Sequence, residues 1–441
     1  MDRLIFNTLL KWRSDSKRKV LLLRGARQVG KTYVVRQLGG KFKNYLEVNF
    51  EAESEVKTFF EGDLNPDQIC IKLSAYYNIP IKDRDTLIFF DEIQSCIPAI
   101  QSLRYFHEKR PGLHVVAAGS LLEFALQQIP SFGVGRIRSL FMYPMSFQEF
   151  LIAANQKGLL EMKEKASPKH PVDEAFHTTL NEWLKKFMVI GGMPEVVKTY
   201  IDTEDLLKTQ RILDDIITSL EDDFAKYKTR INTLRLKDVF HSVMMQSGNK
   251  FNIAKSSGLG NQEQKADALE MLIMAGLCYK VFHSSANGLP LAAGKNHKNF
   301  KLLFFDNGIF QRSLKLGIAD FLIADNLNEI NKGNIAEQFV GNELIKNLFT
   351  SVKPELYYWH REKRGSNAEV DYVLEFQNRI LPVEVKSGTQ GKMQSLYSFL
   401  ESKKISKGIR ISLENFSTYN NIEVFPLYAV DRLVEIYNHT S

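Results

Sequence analysis

The sequence lacks the features that mark membrane, secreted and zinc-binding proteins. No stretch reaches the run of about 18 apolar residues that a transmembrane helix needs, and the first stretch, MDRLIFNTLLKWRSDSKRKV, has no apolar segment followed by a small-residue cleavage site. The three cysteines, Cys70, Cys96 and Cys278, form no CxxC pair, and the nine histidines form no HExxH motif. We therefore expect a cytoplasmic protein without membrane contact, disulfide framework or zinc site.

The chain also has no strong excess of either charge. Its 58 Lys and Arg residues against 51 Asp and Glu residues give a net charge of +7, which permits nucleic-acid contact without requiring it. A composition of 44% hydrophobic and 25% charged residues is typical of globular proteins. At 441 residues the chain is too long for one ordinary core, so we expect about two to four domains.

The N-terminal third contains a phosphate-binding pattern. In KVLLLRGARQVGKTYVVRQLGG, a short apolar strand precedes a loop that fits GxxxxGK[ST], and a helical pattern follows. The two glycines let the loop curl so that its N–H groups face phosphates at a helix N-terminus. Lys31 can reach the β and γ phosphates of ATP, and the Thr32 hydroxyl can bind Mg²⁺. The expected nucleotide-binding residues are Gly25, Ala26, Arg27, Gln28, Val29, Gly30, Lys31 and Thr32.

A second apolar strand, TLIFFDEIQSC, ends in acidic residues, as a Walker B strand does. We expect Asp91 to hold the magnesium ion and Glu92 to activate the attacking water. The next strand, HVVAAGS, ends in Ser120, which either senses the γ phosphate or caps the following helix. Arg136, in GVGRIRSLF, is either a charge-stabilising finger, in cis or across a subunit boundary, or a surface arginine.

The order of these motifs resembles that of a large prokaryotic group of AAA-superfamily ATPases. The shared blocks are the Walker motifs, DEIQ, a GS strand end, GR followed by YPMSFQEFL, and GGMPEVV. The resemblance runs nearly end to end and implies an ATP-binding core at 1–155 fused to an effector. In that group the C-terminal half is usually catalogued as a domain of unknown function, so the resemblance supplies no substrate.

The segment 156–230 is expected to form a helical lid over the nucleotide. Its first part, 156–175, is charged and contains proline, which is typical of a linker or surface excursion. The apolar spacing that follows is helical, with breaks at Gly191, Gly192 and Pro194.

The segment 231–325 looks like a winged-helix domain. Short helical patterns lead to a strand and then to the Gly- and Asn-rich turn SSANGLPLAAGKNHKNFKLLFFD. The candidate recognition helix would expose Asn261, Gln262, Gln264 and Lys265 to the major groove of DNA. Winged helices also serve as protein-docking modules, and only one of these four side chains is cationic.

The last segment, 326–441, combines a helical stretch with two acid-bearing strands. NKGNIAEQFVGNELIKNLF is helical and contains Glu337, while AEVDYVLEF and ILPVEVKSG are strands joined by the turn QNR. Side chains alternate along a strand, so Glu384 and Lys386 share one face, and a hairpin brings Asp371 beside them. Two carboxylates can bind a divalent ion while the lysine orients a water molecule. The ordinary alternative is the polar edge of a hairpin.

This pattern resembles the PD-(D/E)xK motif of restriction-endonuclease-like nucleases, although Val370 stands where the motif has proline. The resemblance implies catalytic roles for Glu337, Asp371, Glu384 and Lys386. It also implies Mg²⁺ or Mn²⁺ held by Asp371 and Glu384, with the Val385 carbonyl as a further ligand.

Together these patterns predict an α/β protein. It would have a P-loop NTPase parallel sheet with a helical lid, a winged-helix domain and a restriction-endonuclease-like α/β C-terminal domain. Its function would be ATP hydrolysis that controls a nuclease acting on DNA. The alternative is a signalling or scaffolding ATPase whose nuclease-like domain is inactive and binds protein partners or further copies of the chain.

Overall fold

The computed structural model describes residues 1–129, 135–227, 231–256, 258, 260–316, 334–361, 368–389 and 393–439. No helix within these ranges is long and apolar enough to cross a membrane. The α-helices are α1 (Ile5–Ser14), α2 (Lys31–Gly39), α3 (Pro66–Tyr77), α4 (Ile97–Lys109), α5 (Leu122–Leu126), α6 (Phe147–Ala153), α7 (Lys157–Lys165), α8 (Glu174–Ile190), α9 (Pro194–Thr203), α10 (Leu206–Asp223), α11 (Thr233–Met245), α12 (Gln262–Met274), α13 (Asn307–Ser313), α14 (Asn334–Leu348), α15 (Gln394–Lys403) and α16 (Val430–His439). The strands are β1 (Val20–Arg24), β2 (Asn44–Asn49), β3 (Thr86–Asp91), β4 (His114–Ala118), β5 (Ile137–Phe141), β6 (Cys278–Ser284), β7 (Lys295–Phe304), β8 (Leu356–His360), β9 (Glu369–Phe376), β10 (Arg379–Val385), β11 (Gly408–Ser412), β12 (Ser417–Tyr419) and β13 (Ile422–Pro426).

The N-terminal sheet is parallel throughout and has the order β2-β3-β4-β1-β5. Its strand β1 is apolar on both faces, because Leu21 and Leu23 pack in one core cluster while Val20 and Leu22 pack in another. Burial on both faces is typical of a parallel sheet covered by helices. Since β1 lies between β4 and β5, the strand order reverses there, and open α/β sheets bind ligands at the carboxyl end of such a strand. The predicted α/β fold with a parallel sheet is confirmed.

Four helices, α7 to α10, fill the segment predicted to be the lid. Helix α8 ends before Gly191, whose φ of +74° favours glycine. A Cβ atom at Gly191 would lie 2.3 Å from Oδ1 of Asp306, and Oδ2 of Asp306 accepts the N–H of Gly192 at 2.7 Å. This contact joins the helices to the C-terminal half. The segment 156–175, expected to be a linker or surface excursion, instead contains helix α7. In α7 the fully buried Lys163 pairs with Asp431.

The second sheet is mixed and has the order β12-β13-β11-β10-β9-β8-β6-β7. The predicted hairpin is present: β9 and β10 pair antiparallel around Gln377 and Asn378, whose φ values of 45° and 62° suit a two-residue hairpin turn. Strands β6 and β7, from the segment interpreted as a winged helix, enter the same sheet because β6 pairs with β8. The boundary predicted between 325 and 326 lies outside the described residues, and the winged-helix and nuclease-like assignments stay predictions.

Candidate functional site

The loop after β1 has the backbone conformation that phosphate binding requires. Gly25 and Gly30 have φ values of 143° and 93°, and Gln28 also has a positive φ of 62°. A Cβ atom at Gly25 would lie 2.1 Å from the carbonyl oxygen of Met142, so only glycine fits this position. Helix α2 begins at Lys31, directly after the loop. The loop N–H groups and the helix N-terminus therefore meet at the carboxyl end of β1.

The Lys31 side chain binds carbonyl groups of its own loop. Its Nζ donates to the carbonyl oxygens of Gly25 at 2.9 Å and Ala26 at 2.7 Å. Burial lowers the pKa of Lys31 to about 8. Phosphate oxygens carry charge and accept stronger hydrogen bonds than neutral carbonyls. The arrangement therefore fits a nucleotide whose phosphates draw Lys31 away from the two carbonyls.

The two predicted magnesium ligands are in contact. The Thr32 hydroxyl donates to Oδ2 of Asp91 at 2.9 Å, and Oδ1 of Asp91 accepts the N–H of Glu92 at 3.1 Å. Burial raises the pKa of Asp91. A hydroxyl and a carboxylate are both oxygen ligands of the kind that Mg²⁺ prefers. The pair therefore fits a magnesium ion shared between α2 and the tip of β3.

Glu92 is held by two side chains that follow it in the chain. The Gln94 amide donates to Oε2 of Glu92 at 2.6 Å, and the Ser120 hydroxyl makes a longer contact of 3.5 Å to the same oxygen. The absence of a side chain at Gly119 allows Gln94 to adopt this position, because a Cβ atom at Gly119 would lie 2.0 Å from Oε1 of Gln94. The N-cap of α5 is Leu121, so Ser120 is not its cap. Gln94 is not among the predicted site residues, although it is the last residue of the DEIQ block.

Arg27 connects the loop to helix α10. It forms an ion pair with Asp223, the last residue of α10, and its Nε donates to the Ser120 hydroxyl at 3.3 Å. A cleft of about 800 Å³ is lined by Gly25, by Ser120 and by Gly276, which lies in the turn between α12 and β6. The loop is thus in contact with α10 and borders a cleft.

Arg136 lies away from the nucleotide site of its own chain. It forms an ion pair with Glu108, near the end of α4. The next residue, Ile137, is paired with Val20 at the start of β1, which is the amino edge of the sheet. The P-loop lies at the opposite edge, so the arrangement does not support a finger in cis. A role across a subunit boundary stays a prediction.

The predicted DNA-reading side chains are mostly engaged in local contacts. Asn261 and Gln264 form the capping box of α12, with hydrogen bonds of 2.9 and 3.4 Å to each other's backbone N–H groups. Lys265 donates to the carbonyl oxygen of Ser256 at 2.5 Å. Gln262 is exposed. Helix capping therefore accounts for Asn261 and Gln264 without any contact to DNA.

The acidic hairpin brings its three predicted residues together. Oδ2 of Asp371 accepts the N–H of Val385 at 2.8 Å, and Lys386 Nζ lies 2.6 Å from Oε1 of Glu384. Glu384 is only 5% exposed, and its Oε2 has no hydrogen-bond partner among the residues that the structure describes. An orphaned, buried carboxylate oxygen is a position that fits a cation.

Glu337, the fourth predicted residue, lies in the first turn of α14 and pairs with a lysine that the sequence analysis missed. Lys301, on β7, has its Nζ 2.8 Å from Oε1 of Glu337 and 2.5 Å from Oε1 of Glu369. Glu369 could have been found, because it precedes Asp371 by two positions on the same strand face. Nothing in the local sequence marks Lys301, which lies in the segment interpreted as a turn.

The electrostatics of this cluster are those of crowded, buried acids. Burial raises the pKa of Glu337, Asp371 and Glu384, while the neighbouring lysines act in the opposite direction. Burial alone would lower the pKa of Lys301, but Glu337, Asp371 and Glu369 together raise it above its ordinary value. Within the described ranges, no group of three or more His, Cys, Asp or Glu side chains is arranged to hold a metal ion. The metal-binding prediction therefore depends on Asp371 and Glu384 alone.

Three sequence families match successive parts of the chain. Residues 17–151 match the family described as "AAA domain". Residues 181–319 match a domain of unknown function, DUF8612, and residues 332–430 match another, DUF4143. A search of curated proteins found no match to this chain.

Several solved structures are similar at low identity. The Walker-type ATPase PABY2304 of Pyrococcus abyssi is 13% identical over 71% of this chain and 95% of its own, with a TM-score of 0.45. The ORC1 protein of Aeropyrum pernix, in complex with DNA, is 13% identical over 70% and 91%, with a TM-score of 0.29. The ADP form of ORC2 from the same organism is 11% identical over 72% and 92%, with a TM-score of 0.30. With TM-scores this low, the similarities indicate no shared function.

Proposed function

We propose that this protein, whose residues 17–151 match the AAA domain family, hydrolyses ATP to control a metal-dependent nuclease site that acts on DNA. The observation that carries the second half of this proposal is the acidic hairpin of β9 and β10. It sets Asp371 and Glu384 beside Lys386 and leaves Oε2 of Glu384 buried without a hydrogen-bond partner in the described structure. Leaving a buried charged group unsatisfied costs at least ~1–3 kcal/mol, which favours a bound cation.

At the ATP site, each side chain has one task. Lys31 binds the phosphates, and Thr32 and Asp91 hold Mg²⁺, which neutralises phosphate charge when it is bound. Glu92 takes the proton of the attacking water. Gln94 keeps the Glu92 carboxylate in place through the 2.6 Å hydrogen bond.

At the second site, Asp371 and Glu384 would hold Mg²⁺ or Mn²⁺, which polarises a phosphate oxygen and makes bound water more acidic. Lys386 offsets charge that develops on the attacked phosphate. Its ammonium is only partly buried, with 25% of the side chain exposed, so it can turn from Glu384 to a bound phosphodiester. Lys363 and Arg364, which precede the hairpin in the sequence, lie outside the described residues.

A second candidate is a signalling or scaffolding ATPase whose C-terminal domain binds a protein partner and cuts nothing. Two observations favour it. Lys301 already neutralises part of the acidic cluster, and the polar start of α12 is occupied by its own capping hydrogen bonds.

Plasmid and single-stranded DNA, incubated with Mg²⁺ or Mn²⁺ and with or without ATP, separate these candidates. We expect cleavage by the wild type, none by Asp371→Ala, and normal cleavage by Glu401→Ala, which removes an exposed carboxylate on α15. Absence of cleavage under every combination of metal and nucleotide would reject the nuclease hypothesis and favour the signalling or scaffolding ATPase.

The ATPase half is tested separately. Lys31→Ala should abolish nucleotide binding, whereas Lys41→Ala, at an exposed position, should leave it intact. Glu92→Gln should bind ATP without hydrolysing it. If Glu92→Gln turned over ATP at the wild-type rate, Glu92 would not be the base.

A further inference from the structure

Lys301 is the least expected member of the acidic cluster. It is 2% exposed and comes from β7, at the edge of the second sheet, whereas the acids come from α14 and β9. Its ammonium contacts Glu337 at 2.8 Å and Glu369 at 2.5 Å, and the field of Asp371 also acts on it. A single cation is thus surrounded by three carboxylates.

Such a contact differs from an ordinary surface ion pair. An exposed pair contributes little to stability, whereas an ammonium that is taken out of water must recover its lost hydration through its partners. Lys301 also lies 5.2 Å from the centroid of the Tyr358 ring, which attracts a cation. These contacts hold the charge at a fixed place between α14 and β9, where it screens the acids from one another.

The remaining acids are left with a deficit of positive charge. The cluster has four carboxylates, on Glu337, Glu369, Asp371 and Glu384, and two ammonium groups, on Lys301 and Lys386. The cluster thus contains two more carboxylates than ammonium groups. The orphaned Oε2 of Glu384 marks the side of the cluster that Lys301 does not reach.

We propose that Lys301 takes the place of a second metal ion in this cluster, so that the site accepts one divalent cation, between Asp371 and Glu384, and no more. Glu337 and Glu369 then serve as partners of Lys301 and not as metal ligands. The inference deepens the proposed function, on which it rests for the identity of the site, by stating how many hard cations the site takes.

The test is a count of bound Mn²⁺ by calorimetric titration of the full-length chain without nucleotide. All variants carry Asp91→Asn, which removes metal binding at the ATP site. We expect one bound ion in this parent, two after Lys301→Met, and one again when Glu337→Gln is added to Lys301→Met. Lys301→Arg, which keeps the charge, and Lys280→Met, which removes a lysine of β6 paired with the exposed Glu270, should both bind one.

Glu337→Gln alone gives a second test that does not depend on the folding of Lys301→Met. If Glu337 only holds Lys301, this variant keeps one ion with little change in affinity, whereas Asp371→Asn weakens binding by roughly tenfold or more. A Lys301→Met protein that binds no additional Mn²⁺, or a Glu337→Gln protein that loses its ion, overturns the proposal. If the expected ion counts are found but the wild-type chain cleaves no DNA under any combination of metal and nucleotide, the nuclease is rejected and the role of Lys301 is supported.

Discussion

Replacing Gln94 by alanine should slow ATP hydrolysis without weakening ATP binding. Gln94 donates to Oε2 of Glu92 at 2.6 Å, whereas the only other contact to that oxygen in the described structure is the long one from Ser120 at 3.5 Å. A hydrogen bond to a charged group contributes ~1.5–3 kcal/mol. If that stabilisation is lost from the transition state, kcat falls by about 10- to 100-fold. Lys31 and Thr32 make their contacts elsewhere, so the Kd for ATP should stay unchanged.

Gly119→Ala reaches the same hydrogen bond from the opposite side. The added methyl group would lie 2.0 Å from Oε1 of Gln94, so the amide must move while Glu92 itself is untouched. The two variants should therefore lower kcat to a similar extent, and their combination should cost no more than either one, because both remove one interaction.

The assay is steady-state phosphate release beside equilibrium binding of a fluorescent ATP analogue. Gln127→Ala, which removes an exposed glutamine amide from the neighbouring α5 region, is the matched control and should behave as wild type. A kcat of Gln94→Ala at or above the wild-type value would refute the positioning role. So would a loss of the same size in ATP affinity, because it would place Gln94 in nucleotide binding.

Three further predictions concern stability and are measured by calorimetry of the full chain. Arg3→Ala breaks a buried ion pair with Glu149, in which the side chains are 6% and 7% exposed. It should lower the free energy of unfolding by ~3–5 kcal/mol, whereas Arg36→Ala, at an exposed pair, should lower it by at most ~1 kcal/mol. Equal losses of stability in the two variants would contradict this prediction. Burial lowers the pKa of His114 to about 4, so the unfolded chain binds more protons, and stability should fall by up to ~1.4 kcal/mol per unit as pH drops from about 6.5 to 4. His114→Gln should reduce this loss of stability between pH 6.5 and about 4. If the loss is unchanged in the variant, groups other than His114 cause it. Gly276→Ala, at a φ of +74° and with its Cβ atom 3.3 Å from the Ala26 nitrogen, should destabilise by ~1–3 kcal/mol, whereas Gly158→Ala, in open space on α7, should not.

The parts of the molecule that the sequence predicted well depend on short-range geometry. The loop, Lys31 and Thr32 follow from glycine spacing between a strand and a helix, and Asp91 follows from the end of an apolar strand. The hairpin that joins Asp371 to Glu384 is also local, because a two-residue turn and side-chain alternation fix which residues face each other. In each case the interacting residues belong to one short strand–loop–helix or strand–turn–strand segment, whose backbone geometry follows from the local sequence.

The contacts that the sequence did not predict join segments whose relative position is set by tertiary packing. The hairpin of β6 and β7, which carries Lys301, joins the second sheet through the parallel pairing of β6 with β8, and nothing in either strand specifies that partner. Asp223 reaches Arg27 only when α10 ends above the loop. Lys163 lies in a segment whose charge predicts a linker or surface excursion, yet it is buried and pairs with Asp431. The glycines before Arg136 indicate a flexible segment, but they do not specify the edge of the sheet at which it lies.

The same long-range packing gives the two halves of the molecule a short connection. Gly276 lies against Ala26 of the P-loop, and after one further residue the chain enters β6. Strand β6 is paired with β7, where Val281 faces Lys301. A short path of packed and paired residues thus runs from the P-loop to the hairpin that carries Lys301. Since coupling between two binding sites is reciprocal in free energy, cation binding at Asp371 and Glu384 should affect ATP affinity by the same factor that ATP affects cation affinity.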